Sequence, residues 1–433
     1  MLFRSGSGDN SLLGETGADS LVAAGGADTL VGGDGADTLI AGAGSDSVAG
    51  DADNDLILVQ GTADVGATDA IDGGGGTDTV RITATTVFGT GVTFTGVEVL
   101  DISAAVAVTL TNTQLAPFTS AAGGAGASLT VNVSSGVNYT LPALGFTNLA
   151  LTLVGTASAE TIAGSTGTES ITGLEGNDLL SGNDGNDTLS GGTGDNSLSG
   201  ETGADSLAAG TGADSILGGD GNDTVSAGDG ANRIEAGLGA DTILAGTGAD
   251  CILGGDGADT ISAGSGDNSL LGETGADSLV AAGGADTLVG GDGADTLIAG
   301  AGSDSLTGGG EVDVFVFGTT DSGLSLATAD SITDFTSAAD TLRLGLAGDG
   351  TAGTGNYVEA GAAVADFAAA LAAADLALAA LNGTSAASQL YAFEFDGTNG
   401  YLFVDTDSDG DADQVIVLTG LDNTEISAGD IVT

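Results

Sequence analysis

The sequence predicts an all-β protein: a parallel β-roll, or β-solenoid, in two blocks joined by a β-rich spacer and closed by a C-terminal β cap with one helix. Three observations predict this fold. A nine-residue glycine-rich unit repeats in constant register, each unit places an aliphatic residue two positions after an acidic or amide residue, and short runs of alternating β-branched residues lie outside the repeats. The predicted segments are residues 1–58 (first block), 59–158 (spacer), 159–313 (second block) and 314–433 (cap).

The repeat unit is Gly-Gly-x-Gly-x-Asp-x-U-x, where U is a large aliphatic residue. Residues 218–226 fit it at every position, and the register holds from Glu160 to Asp313 without an insertion. The first block keeps the same phase, and residues 6–47 recur letter for letter as residues 264–305. Because the chain enters a repeat directly after Met1, we expect an N-terminal portion to be missing.

Each unit predicts a short strand and a tight turn. A three-residue x-U-x strand buries its middle side chain, and the glycines before it allow the chain to reverse. Two units then make one turn of the roll, with a strand on each side, and successive turns stack about 4.8 Å apart as parallel strands. The sixth positions therefore form a column along each of two edges.

The sixth positions are candidate metal ligands, because stacked carboxylates and glycine-turn carbonyls make a cage of hard oxygen atoms, which suits Ca²⁺ better than Mg²⁺ or Zn²⁺. Asparagine at 10, 196, 232 and 268 keeps an oxygen but loses the charge, and glutamate at 160 and 169 is longer by one methylene, so we expect those sites to be weak or empty. The alternative is that the acidic loops are only a solvated edge. The candidate ligands in the two blocks are Asp19, Asp28, Asp37, Asp46, Asp55, Asp178, Asp187, Asp205, Asp214, Asp223, Asp241, Asp250, Asp259, Asp277, Asp286, Asp295 and Asp304.

Composition supports a cation as the partner. The net charge is −57, with 61 acidic residues, four arginines, no lysine and no histidine. This excludes histidine triads, histidine zinc sites and lysine chemistry, and it disfavours binding to nucleic acid or to an anionic membrane. Cys251 is the single cysteine, so no intramolecular disulfide forms, and we find neither an apolar run that could span a membrane nor an N-terminal signal peptide.

Calcium is expected to be required for folding. One buried aliphatic side chain gives roughly 1.5–3 kcal/mol per repeat, whereas fixing each backbone residue costs about 1–2 kcal/mol. The column charges also repel one another. We therefore expect metal binding and folding to be one event, so that the chain stays unfolded in a low-calcium cytoplasm and folds after export.

These nonapeptides resemble the RTX, or haemolysin-type, calcium-binding repeats of bacterial proteins exported by type I secretion. The resemblance covers residues 5–58 and 160–313, about half of the chain. It implies a parallel β-roll whose calcium ligands are the sixth-position aspartates and nearby loop carbonyls. It also implies a secreted or cell-surface location and contact with the type I secretion machinery.

The spacer and the cap lie outside the repeats. Residues 92–94, 97–102, 106–110, 129–133 and 149–153 predict strands of a wider β-solenoid, similar in composition to blocks of surface-layer and adhesive proteins; a plain spacer is the alternative. Residues 362–381 predict an amphipathic helix on the cap, with Leu376 on its apolar side.

Asp405, Asp407 and Asp409 resemble the first half of an EF-hand loop and predict a separate calcium site, although Ile416 stands where glutamate is expected; a solvated hairpin is the alternative. Residues 429–433 are similar to type I secretion signals.

Three functions remain open at this point. The first is an extracellular structural protein, a surface-layer or adhesive component, with self-association or a cell-surface glycan as possible partners. The second is the C-terminal calcium-binding part of an RTX exoenzyme whose catalytic domain is not in this chain. The third is binding of ice or carbohydrate by rows of threonine at 188, 224, 242, 260, 287 and 296. We expect no catalysis by this chain, since it has no Gly-x-Ser-x-Gly or His-Glu-x-x-His motif.

Overall fold

A computed structural model describes all residues except 319–320, 337–338, 345–356, 360–364, 383–389, 408, 422–425 and 433. The chain divides into two compact units, Met1–Thr193 and Gly194–Thr433. The four segments predicted from the sequence are a different division and stay a prediction. The described residues are all-β apart from two α-helices, α1 and α2, and two short 3-10 turns, Thr62–Asp64 and Ala428–Asp430.

The first unit is a parallel β-solenoid with α1 at Asn112–Leu115. Its strands are β1 Leu2–Arg4, β2 Ser11–Leu13, β3 Ser20–Val22, β4 Thr29–Asp34, β5 Thr38–Ile40, β6 Ser47–Ala52, β7 Leu56–Val59, β8 Ala70–Gly75, β9 Thr79–Ile82, β10 Thr86–Val87, β11 Thr93–Thr95, β12 Val99–Ile102, β13 Ala107–Thr111, β14 Ser120–Asn132, β15 Asn138–Thr140, β16 Thr147–Val154, β17 Thr161–Ala163, β18 Glu169–Glu175, β19 Leu179–Asp184 and β20 Thr188–Thr193.

The spacer forms wider turns of the same solenoid, as the sequence predicts. Its parallel strands pair at longer intervals than the repeats do, with Thr79 opposite Val99 and Ser128 opposite Ala150. The added interior is filled by aromatic rings: the Phe94 ring centroid lies 5.2 Å from that of Phe88 and 5.4 Å from that of Phe118. A wider turn encloses more volume, and aromatic side chains supply the bulk that fills it.

The second unit is a parallel β-solenoid followed by the cap, with α2 at Phe367–Asn382. Its strands are β21 Ser197–Thr202, β22 Ser206–Thr211, β23 Ser215–Asp220, β24 Thr224–Asp229, β25 Arg233–Leu238, β26 Thr242–Leu244, β27 Cys251–Asp256, β28 Thr260–Ser265, β29 Ser269–Thr274, β30 Ser278–Gly284, β31 Thr287–Asp292, β32 Thr296–Ile298, β33 Ala301–Gly302, β34 Ser305–Gly310, β35 Val314–Phe317, β36 Asp330–Ile332, β37 Thr341–Leu344, β38 Tyr357–Glu359, β39 Leu390–Phe395, β40 Asn399–Asp405, β41 Gln414–Thr419 and β42 Ile431–Val432.

The 18-residue turn predicted from the repeat is confirmed. Ser206 lies opposite Thr224, Thr224 opposite Thr242, and Thr242 opposite Thr260, all in parallel register. The large aliphatic residue of each strand is buried, and in many repeats an alanine two positions later fills the rest of the narrow core. A regular repeat thus buries one large aliphatic side chain per strand, as the sequence predicts.

Glycine is required where the turns stack most closely. Gly221 has φ +141°, and a Cβ there would collide with the carbonyl oxygen of Gly203 in the preceding turn. Gly219, with φ +118°, would collide in the same way with the carbonyl oxygen of Glu201. Backbone atoms of neighbouring turns therefore touch directly, which only a residue without a side chain allows.

The cap covers the last turns of the roll. Strands β39, β40 and β41 form an antiparallel sheet whose β41 pairs in parallel with β36. Helix α2 packs on this sheet through Ala370, Ala374 and Leu378, which are fully buried. Leu376 is 78% exposed, so its predicted place on the apolar side is wrong, because it falls on the outer side of the helix. Residues 362–364 of the predicted helix lie outside the described residues.

Candidate metal centre

The sixth-position side chains lie buried along two edges of the roll. Asp223 is the residue before β24, and Val225 two positions later points into the core. Because successive residues of a strand alternate in direction, the carboxylate is placed inside the turn together with the aliphatic side chain. All seventeen aspartates predicted in the two blocks are buried in this way.

One oxygen of each carboxylate links two turns. The backbone N–H of Asp223 donates to Oδ1 of Asp241 at 2.7 Å, and that of Asp241 donates to Oδ1 of Asp259 at 2.8 Å. In each of these bonds the donor and acceptor residues are 18 positions apart. The same bond recurs in the first unit, where the N–H of Asp37 donates to Oδ1 of Asp55 at 2.8 Å. A backbone group that the glycine turn leaves without a strand partner is satisfied in this way.

In many of these carboxylates the second oxygen has no donor. Within the described part of the chain, the buried Oδ2 atoms of sixteen carboxylates accept no hydrogen bond: those of Asp19, Asp28, Asp37, Asp46, Asp55, Asp78, Asp214, Asp223, Asp241, Asp250, Asp259, Asp277, Asp286, Asp295, Asp304 and Asp330. A buried oxygen of an ionised carboxylate is costly unless a donor or a cation compensates it.

The surroundings of these oxygens fit a calcium ion. Beside Gly254, the position that a Cβ would take lies 2.5 Å from Oδ2 of Asp259 and 2.9 Å from the carbonyl oxygen of Gly272. Carboxylate and carbonyl oxygens thus converge on space that glycine leaves open. Calcium prefers such oxygen ligands, tolerates irregular geometry, and when bound would supply the positive charge that the carboxylates lack.

Burial also changes the acidity of the column. Burial, with a smaller contribution from neighbouring carboxylates of the same column, raises the pKa of Asp223, Asp259 and Asp295 to about 6. The pKa of Asp46, Asp55 and Asp304 is also raised by burial to about 6. Asp330, at the junction with the cap, has its pKa raised by burial to about 8. These raised pKa values mean that the protein itself does not compensate the negative charge of the ionised carboxylates.

The two glutamates of the array make a different set of hydrogen bonds from the aspartates. Both oxygens of Glu160 accept from its own loop, including the Thr156 N–H at 2.9 Å and hydroxyl at 2.6 Å. Glu169 accepts from the Ser165 N–H at 2.8 Å and hydroxyl at 2.7 Å. The extra methylene carries the carboxylate to donors of the turn itself, which satisfies it without an ion.

The columns extend beyond the residues singled out from the repeat. Asp46 and Asp55 donate their N–H groups to Asp69 at 2.8 Å and Asp78 at 2.7 Å, and Asp304 donates to Asp330 at 2.9 Å. These partners stand in turns of 23 and 26 residues, which break the nine-residue period. Asp78 stands in a single copy of the repeat at residues 73–81, and Asp313 is the last sixth position of the second block. The signal that could have found Asp69 and Asp330 is the Asp-x-aliphatic triplet, which also occurs at Asp340, the acceptor of the Asp313 N–H at 3.0 Å.

The acidic loop of the cap lies between β40 and β41. One carboxylate oxygen from each of Asp405, Asp407 and Asp413 lies within 4.8 Å of the others. Asp409 stays outside this group and instead accepts the N–H of Asp411 at 3.0 Å, so the structure brings together a different set from the predicted Asp405, Asp407 and Asp409. Ser408 of the predicted loop and Thr433 of the predicted secretion signal lie outside the described residues.

No helix within the described residues combines the length and the apolar composition needed to cross a bilayer. No curated protein matches the sequence. Among solved structures, the extracellular lipase LipA from Serratia marcescens is 15% identical, with a TM-score of 0.17; the match covers 71% of this chain and 45% of the lipase. The chain therefore spans less than half of that lipase, and a likeness this low supports no conclusion.

One protein family matches the repeats of this chain. The profile of the RTX calcium-binding nonapeptide repeat (4 copies) matches residues 4–39, 22–57, 154–189, 163–198, 190–225, 199–234, 217–250, 226–261, 253–288 and 289–319, which together make up just over half of the chain. These are the turns that carry the buried carboxylate columns. The chain belongs to the RTX calcium-binding repeat family and is a calcium-binding protein of the extracellular type.

Proposed function

We propose that the position-six aspartates of the two blocks, together with Asp78, Asp313 and Asp330, are the residues that hold calcium. The sixteen buried Oδ2 atoms named above carry this proposal, because they accept no hydrogen bond and glycine carbonyls lie close by, as beside Asp259. Asp69 and Asp340 are left out, because their Oδ2 atoms accept the N–H groups of Gly66 and Thr336. Folding then depends on calcium, since the ionised columns would otherwise remain buried without compensation.

The test is a calcium titration of chelator-treated protein followed by far-ultraviolet circular dichroism. We expect little regular structure without calcium and a cooperative gain of β-sheet signal as calcium is added. Magnesium at the same concentration is the control and should fail, because it demands a small, regular octahedral site. An equally ordered chain in chelator would contradict the proposal.

For the biological role, we propose an extracellular structural protein, a surface-layer or adhesive component, that folds on binding calcium after secretion. A row of hydroxyl side chains supports this structural role. Ser206, Thr224, Thr242, Thr260, Ser278 and Thr296 follow one another in strand register on one sheet. Such a row repeats every strand, about 4.8 Å, and suits a partner that is itself repetitive, a second copy or a surface glycan.

Electron microscopy of the protein in calcium tests this role. We expect sheets or filaments that dissolve in chelator. Thr242→Lys, which places a charge in the row, should disrupt them, whereas Ser215→Lys on the opposite sheet should not; both positions are exposed. Calcium-folded protein that neither assembles nor binds glycans would contradict the role and favour the alternative, the calcium-binding part of a longer exoenzyme.

We further propose that this chain has no catalytic activity of its own and that residues 314–433 carry the signal for type I export. The absence of histidine and lysine from the sequence supports the first statement. The acidic and aliphatic ending supports the second. Fusion of residues 314–433 to a reporter should direct its secretion through a type I system, and a reporter retained in the cytoplasm would contradict the signal.

A further inference from the structure

The two edges of the roll in the second unit differ in their sixth positions. One, here called the aspartate edge, has aspartate in every turn: Asp205, Asp223, Asp241, Asp259, Asp277, Asp295 and Asp313. The other, here called the alternating edge, has asparagine in every second turn before it ends in aspartates: Asn196, Asp214, Asn232, Asp250, Asn268, Asp286 and Asp304. The asparagines thus recur every two turns of the same column.

Each asparagine side chain makes the bond between turns with its oxygen and places its nitrogen where the second carboxylate oxygen of an aspartate would lie. The N–H of Asp214 donates to Oδ1 of Asn232 at 3.1 Å, and the N–H of Asp250 donates to Oδ1 of Asn268 at 3.0 Å. The oxygen of each amide therefore makes the same link between turns that Oδ1 makes in an aspartate. This bond fixes the orientation of the amide, so Nδ2 takes the place that Oδ2 occupies elsewhere.

The amide nitrogens donate to the carbonyls of the glycine turns. Nδ2 of Asn232 donates to the carbonyl oxygens of Gly228 at 3.3 Å and Gly230 at 3.2 Å. Nδ2 of Asn268 donates to that of Gly266 at 2.8 Å. Asn196 and Asn10 repeat the arrangement, since each donates to the glycine two residues before it.

We propose that the asparagine turns close without calcium, because the amide nitrogen donates to the loop carbonyls that an ion would otherwise coordinate. This inference rests on the proposed function, in which aspartates at the same position hold calcium. The aspartate edge then takes an ion at each regular turn, whereas the alternating edge takes ions only beside its aspartates. The asparagine side chains carry no charge, so Asp214, Asp250 and Asp286 of that column lie two turns apart and repel one another less.

The experiment counts calcium ions bound to the full chain by equilibrium dialysis with radioactive calcium. Asn232→Asp should add about one ion, because it restores an uncompensated Oδ2 beside free carbonyls. Asn268→Asp is a second variant of the same kind, and circular dichroism at saturating calcium checks that each is folded. Asp241→Asn on the aspartate edge is the matched control and should remove about one ion.

The outcomes separate the two proposals. If Asp241→Asn loses an ion but neither asparagine variant gains one, the calcium function stands and the asparagine inference is overturned. If no variant changes the count, the assignment of calcium to the sixth positions fails.

A second readout uses the triple variant Asp214→Asn, Asp250→Asn and Asp286→Asn, which makes the alternating edge amide from Asn196 to residue 286. It should keep more β-sheet signal in chelator than the wild-type chain, and less signal would overturn the inference.

Discussion

The calcium-free protein is predicted to fold in mild acid and to unfold toward neutral pH. Burial raises the pKa of Asp223, Asp259 and Asp295 to about 6 in the folded chain, against about 3.9 for unfolded aspartate. Between these values the folded state binds more protons than the unfolded state. The stability that these groups provide is therefore fully present below about pH 4 and is lost as the pH rises through about 6.

The magnitude follows from the number of protons involved. Each such group removes about 1.4 kcal/mol of unfolding free energy per pH unit within this window. Members of one column raise one another's pKa, so their titrations overlap and spread over a broader range than a single group would show. With calcium bound the direction reverses, because protons compete with the ion, and calcium affinity should fall below about pH 6.

The assay is circular dichroism of calcium-free protein from about pH 4.5 to 8, with sedimentation to confirm that the chain stays monomeric above its isoelectric point near 4.1. We expect β-sheet signal at the acidic end and its loss by pH 7. The triple variant Asp223→Asn, Asp259→Asn and Asp295→Asn should flatten this dependence, because its amides cannot ionise. A control with the same change of charge at the exposed last residues of β23, β27 and β31, made by replacing residues 220, 256 and 292 with asparagine, should not flatten it. Calcium-free protein that is equally unordered at both ends, or more ordered at pH 7, would refute the reasoning.

Three further predictions concern single positions in calcium-saturated protein, measured by urea unfolding. Asp241→Ala should cost about 1–3 kcal/mol more than Asp241→Asn, because only alanine leaves the buried N–H of Asp223 without an acceptor; equal losses would show that this bond is unimportant. Gly221→Ala should destabilise by more than about 1 kcal/mol through collision with the Gly203 carbonyl. Gly283→Ala, whose Cβ would lie 3.5 Å from the Ala301 carbonyl oxygen, should stay within about 0.5 kcal/mol, and equal losses would contradict the close stacking at Gly221. Ile243→Ala should lower the free energy of unfolding by about 2–5 kcal/mol because its side chain is buried, while Leu244→Ala should change it little because Leu244 is 52% exposed. Similar losses at both positions would contradict a core built from one large aliphatic residue per strand.

Most of the fold could be predicted because one short unit fixes it. The nine-residue period sets strand length, turn length and register together, and Val225 or Ile243 can be placed in the core from the repeat alone. The spacer could be predicted as strands of a wider β-solenoid, but the length of each of its turns could not. These lengths depend on how Phe88, Phe94 and Phe118 fill the interior, which no local pattern states.

The positions of the candidate site and its preference for calcium were predicted, but the separate roles of the two carboxylate oxygens were not. The sequence places carboxylates on two edges, yet it does not show that one oxygen is used for a backbone bond while the other lacks a donor. It also gives no reason to separate Asp409 from Asp413, because both stand at alternate positions of the acidic loop and only the path of the chain brings Asp413 beside Asp405 and Asp407. Asp330 was missed because its turn contains 26 residues instead of 18.

The link between turns has a direction along the chain. The N–H of a sixth residue is satisfied by a carboxylate or amide oxygen that comes later in the sequence, as Asp223 is by Asp241 and Asp304 is by Asp330. For this bond a turn depends on the segment that follows it, and the final regular turns depend on the cap. Removal of the cap should accordingly leave the buried N–H groups of Asp304 and Asp313 without their acceptors, Asp330 and Asp340.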